Sequence, residues 1–472
     1  MRPLVVDLDG TLILTDMLHE SALRLLRDHP FDVFKFPRWL TRGKALFKRE
    51  VADRADIRFD LLPYNQPLIE WLQEEKAKGR KLILCTASDK KIAHAISDHL
   101  GIFDEVIASD GEHNIEGEMK ADVLEKRFGN NEFDYAGNST ADLAVWKKAH
   151  SAIVVNAAPA ILSRVQSTGK VERVFPAQTI TIPQFVRMLR LHQWLKNLLL
   201  FATCFAAHRI GQLHDWVQLI LAFLAFGLSA SSIYIVNDLL DIDSDRAHPR
   251  KRKRPIASGE IPISQAAGLI PILFFSGLLI GLVTSHVFLN WLMVYIIITA
   301  LYSFKLKRIV LIDCIILALL YTIRVIAGAA AISSPISFWL LALSIFLFLS
   351  LAFVKRSTEL QIQIDAQEEK TYGRGYYTTD APLIQIFGVA SAFAAVVVLA
   401  LYINSDAVQI LYKTHEIIWL TVPVLLFWIS WIWLKVQRRE MDDDPVIFAL
   451  KNKTSLLCGF VFLSIFAIGT MW

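Results

Sequence analysis

The sequence is poor in cysteine and in net charge. Its 472 residues include four cysteines, and the formal net charge at pH 7 is +4. The cysteines are scattered without a CxxC pair, which gives no indication of a disulfide framework and favours buried thiols. The small charge gives no indication of nucleic acid as a partner. The chain starts with MRPLVVDLDGT, which predicts a strand and a turn, so we expect no cleaved signal peptide.

Apolar residues are abundant instead. They make up 54% of the chain, and the mean hydropathy is +0.42. This content exceeds that of soluble proteins, and the length allows two or more domains. We predict a soluble domain over 1–180 and a membrane domain over 181–472, because the long apolar runs come late. The nine predicted spans are 195–208, 216–237, 264–285, 287–304, 309–331, 336–354, 383–403, 417–434 and 454–472.

Several of these runs reach the roughly 20 residues that a helix needs to span a bilayer. The first run is short, but the amphipathic stretch before it, RMLRLHQWLKNLLLF, suits a helix at the membrane interface that extends it. Basic residues are concentrated in alternate loops, which predicts that these loops and the amino-terminal domain are cytoplasmic. The basic residues concerned are the KRKR cluster after Pro249, Lys305, Lys307, Arg308, Lys355, Arg356, Lys370, Arg374, Lys435, Arg438 and Arg439, against Arg209 and Lys413 in the opposite loops.

The first 180 residues alternate short apolar runs with amphipathic stretches. We predict strands at Pro3–Leu8, Lys81–Cys85, Val106–Ala108, Tyr135–Gly137 and Ala152–Asn156. Strands that alternate with helices predict an α/β doubly wound parallel sheet, with a site at the carboxyl ends of the strands. Residues 15–65 would form a small helical cap, and residues 166–183 a linker.

DLDGT at the end of the first strand, with its companions in order, resembles the haloacid dehalogenase (HAD) superfamily. The resemblance implies a phosphatase in which Asp7 is the nucleophile and Asp9 the general acid and base. It also implies phosphate binding by Thr86 or Ser88 and by Lys120. The Mg²⁺ ligands it implies are Asp7, Asp9, Asn138 and Asp142, although the family usually has an acid where Asn138 stands. A domain that has lost activity and serves only for docking is the alternative.

The segment NDLLDIDSDRAHPRKRKRPIASG, residues 237–259, combines acidic and basic residues, and we call it the aspartate segment. Asp238, Asp241 and Asp245 are spaced so that they share one face of a helix. Three adjacent carboxylates need a cation, and their oxygens suit Mg²⁺. The basic run that follows suits phosphate oxygens. A solvated cytoplasmic loop explains the basic run alone, but not three aspartates in phase next to a membrane span.

The pattern NDxxDxxxD followed by HPxKxxRPIxxG resembles the intramembrane prenyltransferases of the UbiA type. Within that superfamily, YSxxLK, RxIAG, KRxxEL and DDDPVIFALKNKTS (from Asp442) resemble the polyprenyl-phosphate phosphoribosyltransferases. The segment between the predicted sixth and seventh spans lacks the DxxxD motif of the enzymes that prenylate aromatic substrates. The substrate-binding residues this implies are Asn237, Lys251, Arg254, Tyr302, Lys305, Lys307, Asp313, Arg324, Lys355 and Arg356. Arg324 could instead pair with an acid on another helix.

The resemblance implies transfer of 5-phosphoribose from 5-phosphoribosyl diphosphate to a polyprenyl phosphate, with Mg²⁺ as cofactor. The amino-terminal domain would then remove the 5-phosphate from a precursor of cell-envelope glycans. We expect a multi-pass protein of the inner membrane. Two alternatives stay open, namely prenylation of an aromatic or other small acceptor, and a non-catalytic lipid-phosphate transporter or scaffold. The sequence gives no oligomeric state.

Overall fold

The computed structural model describes residues 1–471 apart from 178, 368–373, 407, 409–411, 413, 442 and 443. Lys370, Lys413 and the first residue of the DDDPVIFALKNKTS motif, Asp442, therefore lie outside the described residues. Packing divides the chain into two compact units. The first comprises Met1–Leu189 and Tyr234–Ile270, and the second comprises Arg190–Ile233 and Pro271–Trp472. The domain boundary near residue 180 stays a prediction.

A six-stranded parallel sheet forms the centre of the first unit. Its strands are β1 (Leu4–Val6), β2 (Leu82–Asp89), β3 (Glu105–Ser109), β4 (Asp134–Gly137), β5 (Ala152–Val155) and β6 (Val171–Phe175). Their order in the sheet is β3-β2-β1-β4-β5-β6, with every pair parallel. Strand β1 is therefore central, and Asp7 follows it directly. The predicted doubly wound sheet is confirmed.

Both faces of the sheet are buried. Leu4 and Val6 belong to one apolar cluster, whereas Val5 belongs to another. This division follows from the alternation of side chains along a strand. Burial on both sides explains why the inner strands are continuous apolar runs in the sequence.

Strand β6 lies within residues 166–183, so the prediction that this whole stretch is a linker was wrong. Glu172, Arg173 and Val174 are exposed, and the strand pairs only with β5 at the edge of the sheet. An edge strand with exposed residues lacks the apolar run by which the inner strands were predicted.

The α-helices are numbered in chain order. The first twelve are α1 (Met17–Asp28), α2 (Phe36–Leu40), α3 (Lys44–Arg54), α4 (Gln66–Ala77), α5 (Lys90–Leu100), α6 (Glu118–Phe128), α7 (Asp142–Lys148), α8 (Pro159–Gln166), α9 (Ile182–Leu189), α10 (Ala202–Ala206), α11 (Leu213–Leu240) and α12 (Ile242–Ala247). The others among the described residues are α13 (Ile263–Thr284), α14 (His286–Phe304), α15 (Ile312–Ala331), α16 (Phe338–Asp365), α17 (Ala381–Ile403), α18 (His415–Ile418), α19 (Thr421–Gln437), α20 (Pro445–Lys451) and α21 (Lys453–Met471).

Within the described part of the chain, eight helices are long and apolar enough to cross a membrane. They are α11, α13, α14, α15, α16, α17, α19 and α21. The first predicted span, 195–208, is not among these eight and is not confirmed. Its residues belong to a 3-10 stretch, Leu191–Phe201, and to the five-residue helix α10. Lys196 and Asn197 are buried polar residues of this stretch, so it is not a regular apolar helix.

Helix α16 is longer than the predicted span of 336–354. The helix has 28 residues and ends at Asp365. At its start, the backbone N–H of Leu340 donates to the Ser337 side chain, which caps the helix. Lys355 and Arg356 therefore lie on a helix, and the prediction that they belong to a loop was wrong. Arg356 is fully buried, which is unusual for arginine unless an acid balances its charge.

Candidate active sites

Asp7 is paired with a buried lysine at the end of strand β1. The ammonium group of Lys120, on α6, donates to Asp7 Oδ1 at 2.6 Å and to the hydroxyl oxygen of Tyr135 at 3.0 Å. Burial raises the pKa of Asp7 to about 7, against the opposing effect of the Lys120 charge. A buried ammonium group of this kind can stabilise negative charge that develops beside it.

Asp9 lies in the loop after β1, and its carboxylate accepts three hydrogen bonds. Oδ1 accepts from the backbone N–H of Met17 at 2.7 Å, and Oδ2 accepts from the hydroxyls of Ser88 at 2.7 Å and Thr86 at 3.4 Å. Burial, reinforced by the charge of Asp16, raises the pKa of Asp9 to about 6. A carboxyl group with a pKa near neutrality suits general acid catalysis. The structure thus brings Thr86 and Ser88, predicted to bind phosphate, to Asp9.

Asp142 holds the loop that follows β4. Its Oδ2 accepts from the backbone N–H groups of Asn138 at 3.0 Å and Ser139 at 2.8 Å and from the Ser139 hydroxyl at 2.8 Å. Its Oδ1 accepts from the Tyr135 hydroxyl at 2.6 Å. The Asn138 side chain packs against Gly10, where an added Cβ would lie 2.1 Å from Asn138 Nδ2. Oδ2 of Asp142 therefore positions the loop after β4, and Oδ1 binds the strand itself through Tyr135.

The metal ligands implied for this domain, Asp7, Asp9, Asn138 and Asp142, stay a prediction. Within the described residues, neither this domain nor the aspartate segment has three or more His, Cys, Asp and Glu side chains already gathered as a metal site. Asp142 is engaged by hydrogen bonds, and Asn138 contributes an uncharged amide. Asp7 pairs with Lys120, whose ammonium nitrogen also lies 4.0 Å from Asp142 Oδ1.

The aspartate segment joins the end of α11 to the short helix α12. Asp238 lies in the last turn of α11, Asp241 precedes α12, and Asp245 lies within α12. Arg254 Nη1 contacts both Asp238 Oδ1, at 3.1 Å, and Asp245 Oδ2, at 2.6 Å. The two buried carboxylates thus converge on one cationic nitrogen. In charge and donor type they fit a hard cation such as Mg²⁺.

A fourth aspartate of the segment, Asp243, faces a different partner. Its carboxylate accepts hydrogen bonds from Arg24 and from Arg27. The distance to Arg27 Nη1 is 2.7 Å. Arg246 contacts Glu20 at 2.7 Å and 3.1 Å. These contacts were not predicted. The sequence does indicate that Asp243 differs from the other three aspartates, because its position places it on another face of the helix.

In the second unit, Asp313 is the centre of a buried cluster of polar side chains. Its Oδ2 pairs with Arg356, and its Oδ1 accepts from the Tyr376 hydroxyl at 2.6 Å. Arg374 lies 3.5 Å from Asp313 Oδ2, and Glu359 pairs with both arginines. Asp313 and Arg356 were predicted as site residues. The other three were missed, because only folding brings them together.

Arg324 lies in a separate polar cluster. It donates from Nε to Asn197 Oδ1 at 3.0 Å, from Nη2 to the Tyr295 hydroxyl at 3.0 Å and from Nη1 to the Leu320 carbonyl at 2.6 Å. The structure therefore does not bring Arg324 and Asp313 together. The partners of Arg324 are an amide, a phenol and a carbonyl, rather than the acid considered as an alternative.

A further ion pair in the second unit joins Lys196 and Asp444. Burial opposes ionisation of Asp444, but the charges of Lys196 and Lys355 outweigh it and hold the pKa of Asp444 below its usual value. Lys196 and Asp444 were missed as single residues, although each lies in a motif noted in the sequence. The pair brings the predicted binding residue Lys355 into the same electrostatic environment.

The remaining predicted residues lie at the ends of helices. Asn237 lies on α11, and its backbone carbonyl accepts from the backbone N–H of Asp241 at 2.9 Å. Lys251 begins a 3-10 turn, Lys251–Lys253. The hydroxyl of Tyr302 accepts from Arg374 at 3.2 Å, which connects it to the Asp313 cluster. Lys305 is the C-cap residue of α14, and Lys307 lies in the 3-10 turn that follows.

Comparison with known protein families identifies both parts of the chain. Residues 198–466 match the model of the UbiA prenyltransferase family. Residues 4–147 match the model of the haloacid dehalogenase-like hydrolases. The two matched regions do not overlap, and both families consist of enzymes.

Curated relatives extend this finding. An uncharacterized protein of Sinorhizobium fredii, y4nM, is 34% identical over 470 residues, which cover 99% of this chain and 90% of that protein. The decaprenyl-phosphate phosphoribosyltransferase of Mycolicibacterium smegmatis is 38% identical over 181 residues, which cover 38% of this chain and 57% of that enzyme. The chain thus spans little more than half the length of this second relative.

Among solved structures, a UbiA homologue from Archaeoglobus fulgidus bound to GPP and Mg²⁺ is 16% identical. The match covers 60% of this chain and 99% of that one, with a TM-score of 0.47. The family model covers more than half of this sequence, and the y4nM alignment runs through both matched regions. The chain is therefore a multi-pass membrane protein of the UbiA prenyltransferase family that carries an amino-terminal HAD-like domain.

Proposed function

We propose that the protein transfers 5-phosphoribose from 5-phosphoribosyl diphosphate to a polyprenyl phosphate. An oxygen of the lipid phosphate attacks C1 of the ribose, the bond from C1 to the diphosphate oxygen breaks, and pyrophosphate leaves. The resemblance of the membrane part to enzymes named decaprenyl-phosphate phosphoribosyltransferase supports this choice of substrates. The length of the lipid stays open.

The observation that carries the proposal is the convergence of Asp238 and Asp245 on Arg254. The carboxylates of Asp238, Asp241 and Asp245 would hold Mg²⁺. When bound, Mg²⁺ supplies positive charge that stabilises the departing pyrophosphate. Arg254 would exchange its carboxylate partners for phosphate oxygens, to which a guanidinium group can donate two parallel hydrogen bonds. Asn237 and Lys251 would assist in binding the same group.

In the second unit, the Asp313 cluster would orient substrate phosphates. Arg356 and Arg374 are held by Asp313 and Glu359, so their guanidinium groups are fixed before a substrate binds. Donors fixed in advance stabilise charge without reorganisation during the reaction. Tyr302, Lys305, Lys307, Arg324 and Lys355 remain proposed binding residues.

For the amino-terminal domain we propose removal of the 5-phosphate from the lipid product. Asp7 would attack phosphorus and form an aspartyl-phosphate, while Asp9 protonates the ribose oxygen that leaves. The position of Lys120 beside Asp7 and the raised pKa of Asp9 support these roles. This first step releases polyprenylphosphoryl ribose. Water then hydrolyses the aspartyl-phosphate, which releases inorganic phosphate and regenerates the Asp7 carboxylate.

We further propose that the protein lies in the inner membrane with its amino-terminal domain in the cytoplasm. The basic residues between α12 and α13 and between α14 and α15 support this orientation. It gives the transferase access to 5-phosphoribosyl diphosphate and places both reactions on the same side. Mg²⁺, as proposed for the transferase, is available there.

The test is incubation of purified full-length protein with labelled 5-phosphoribosyl diphosphate, a polyprenyl phosphate and Mg²⁺. Label should enter the lipid fraction, and EDTA or the substitution Asp241→Ala should prevent this. Parallel reactions contain a prenyl diphosphate and an aromatic acceptor. A labelled lipid in the first reaction supports the proposal, whereas prenylated acceptor without ribosylated lipid contradicts it.

A further inference from the structure

Helix α1 of the HAD-like domain carries charged side chains that contact the aspartate segment. Glu20 is fully buried, and Arg24 has 1% of its surface exposed. The two residues pair within the helix at 2.5 Å. Buried charges of this kind are rare in surface caps, because they lose their hydration without any gain unless they are paired.

Each of these buried charges has a second partner in the aspartate segment. Glu20 accepts from Arg246 Nη2 at 2.7 Å and from Nη1 at 3.1 Å, and Arg24 pairs with Asp243. Arg246 also donates from Nε to the carbonyl of Ala257 at 3.0 Å. Arg246 therefore connects α1 with both α12 and the loop that follows the basic run.

The packing around Gly259 supports the same attachment. Gly259 has a φ of +79°, and an added Cβ would lie 2.9 Å from Leu14 Cβ and 3.2 Å from Pro63 Cβ. The loop at the end of the aspartate segment thus approaches the HAD-like domain so closely that a side chain is excluded. The charges and this contact together restrict where α12 can lie.

The other end of α1 contacts the phosphatase site. The backbone N–H of Met17, its first residue, donates to Asp9 at 2.7 Å. One helix therefore contacts a proposed acid of the first reaction and the segment that carries the aspartates of the second. The transferase motif gives no role to Asp243, the fourth aspartate of the segment. Its contact with Arg24 gives it one, which is to attach the segment to α1.

We propose that Glu20 and Arg24 are positioning residues for the transferase. By holding Asp243 and Arg246 they fix α12 and thereby orient Asp241 and Asp245 toward Mg²⁺. The HAD-like domain is then needed for transfer even when its own reaction is blocked. This inference rests on the proposed transferase function for its catalytic consequence, but the attachment of α12 can be measured without it.

The experiment compares full-length wild type with Glu20→Gln, Asp243→Asn and the control Glu50→Gln. Glu50 also pairs with an arginine one turn along its helix, Arg54, but both residues lie on α3. The first measurement is amide hydrogen exchange over residues 241–247 without added metal. The second is the Mg²⁺ concentration that gives half-maximal transfer.

We expect Glu20→Gln and Asp243→Asn to raise both the exchange rate of α12 and the Mg²⁺ requirement at least tenfold. Glu50→Gln should leave both values as in wild type. Folded Glu20→Gln protein with wild-type exchange and wild-type Mg²⁺ dependence would overturn the proposal. If Glu20→Gln does not fold, Asp243→Asn decides, because Asp243 is partly exposed. If wild type transfers none of the tested substrates, the proposed function fails, and the exchange rates alone then decide whether α1 holds α12.

Discussion

Arg246 binds the carboxylate of Glu20 across 226 residues of sequence, with both terminal nitrogens of its guanidinium group engaged. Between these two residues lie most of the HAD-like domain and the helix α11. The pair shows that the aspartate segment, which belongs to the UbiA family match, packs as part of the first compact unit. Disrupting this pair should therefore affect the stability of the first unit as well as the transferase aspartates.

The Glu20 pair should make the first unit sensitive to acid. Burial opposes ionisation of Glu20, but the charges and hydrogen bonds of Arg246 and Arg24 outweigh it, so the pKa of Glu20 is lowered on folding. A lowered pKa contributes stability that is present above the unfolded value of about 4.3 and is lost as the pH falls through the folded value. We therefore expect wild type to exceed Glu20→Gln in stability at pH 7, with the difference shrinking below about pH 4.

Thermal unfolding of wild type and Glu20→Gln at several pH values between 7 and 3 measures this. At pH 7 the difference should be about 3 to 5 kcal/mol, the usual effect of removing one partner of a buried ion pair. A difference between the two proteins that stays constant over the whole pH range would contradict the prediction.

Replacement of Asp7 should separate the two reactions. Asp7→Asn keeps the shape of the side chain but removes the nucleophilic charge. We expect this variant to form the ribosylated lipid and to accumulate it with the 5-phosphate attached, whereas wild type yields the dephosphorylated lipid. Mass spectrometry of the lipid fraction distinguishes the two products. The same phosphorylated lipid from both proteins would mean that the domain acts on another substrate.

Loss of a carboxylate in the aspartate segment should abolish transfer. Asp238→Ala and Asp241→Ala remove proposed Mg²⁺ ligands, and we expect the rate of transfer to fall by at least about a hundredfold. Asp365→Asn is the matched control, because Asp365 pairs with Arg439 near the end of α16. Initial rates of label incorporation, with circular dichroism to establish folding, provide the measurement. Near-normal transfer by Asp241→Ala would remove the metal assignment.

The buried pair of Asp313 and Arg356 should show strong coupling. Arg356→Met leaves the Asp313 carboxylate with fewer cationic partners, at a cost of about 3 to 5 kcal/mol. The double variant Asp313→Asn, Arg356→Met should be more stable than Arg356→Met alone, because it removes the buried negative charge. Thermal unfolding of the detergent-solubilised proteins tests this. Stability losses that simply add would argue against coupling.

The predicted topology can be tested with cysteine labelling in intact cells. Cys85, Cys204 and Cys314 are buried, so replacing the partly exposed Cys458 by serine gives a background of low reactivity. In that background Pro249→Cys should resist a membrane-impermeant thiol reagent, and Ser405→Cys should react. Both sites should react after the cells are opened. The opposite labelling pattern in intact cells would reverse the proposed orientation.

The sequence was sufficient for elements whose environment is uniform along the chain. Strands β1 and β2 are buried on both faces, so their residues form apolar runs that are visible without a structure. The helices α13 and α17 were predicted because their apolar runs are long enough to cross a membrane. Strand β6 was missed because its exposed residues follow no such pattern, and the span at 195–208 was predicted as regular although it contains the buried Lys196 and Asn197.

Side-chain partners were harder to predict than elements. The three in-phase aspartates pointed to one site, and two of them do face a common nitrogen. Asp313 and Arg324 lie on the same helix, α15, yet each has hydrogen-bond partners on other segments. The pairing of charged side chains from different segments depends on tertiary packing. The spacing of residues within one helix does not predict it.

The attachment of α1 to the aspartate segment also has a consequence for synthesis. A ribosome that adds about 5 to 20 residues per second needs roughly 11 to 45 seconds to proceed from Glu20 to Arg246. During that interval the nascent domain exposes a face with Glu20 and Arg24 whose later partners have not been made. Helix α11 must be translated, and delivered to the membrane, before this face is covered. The pairing of Glu20 with Arg246 can therefore form only after α11 has been translated.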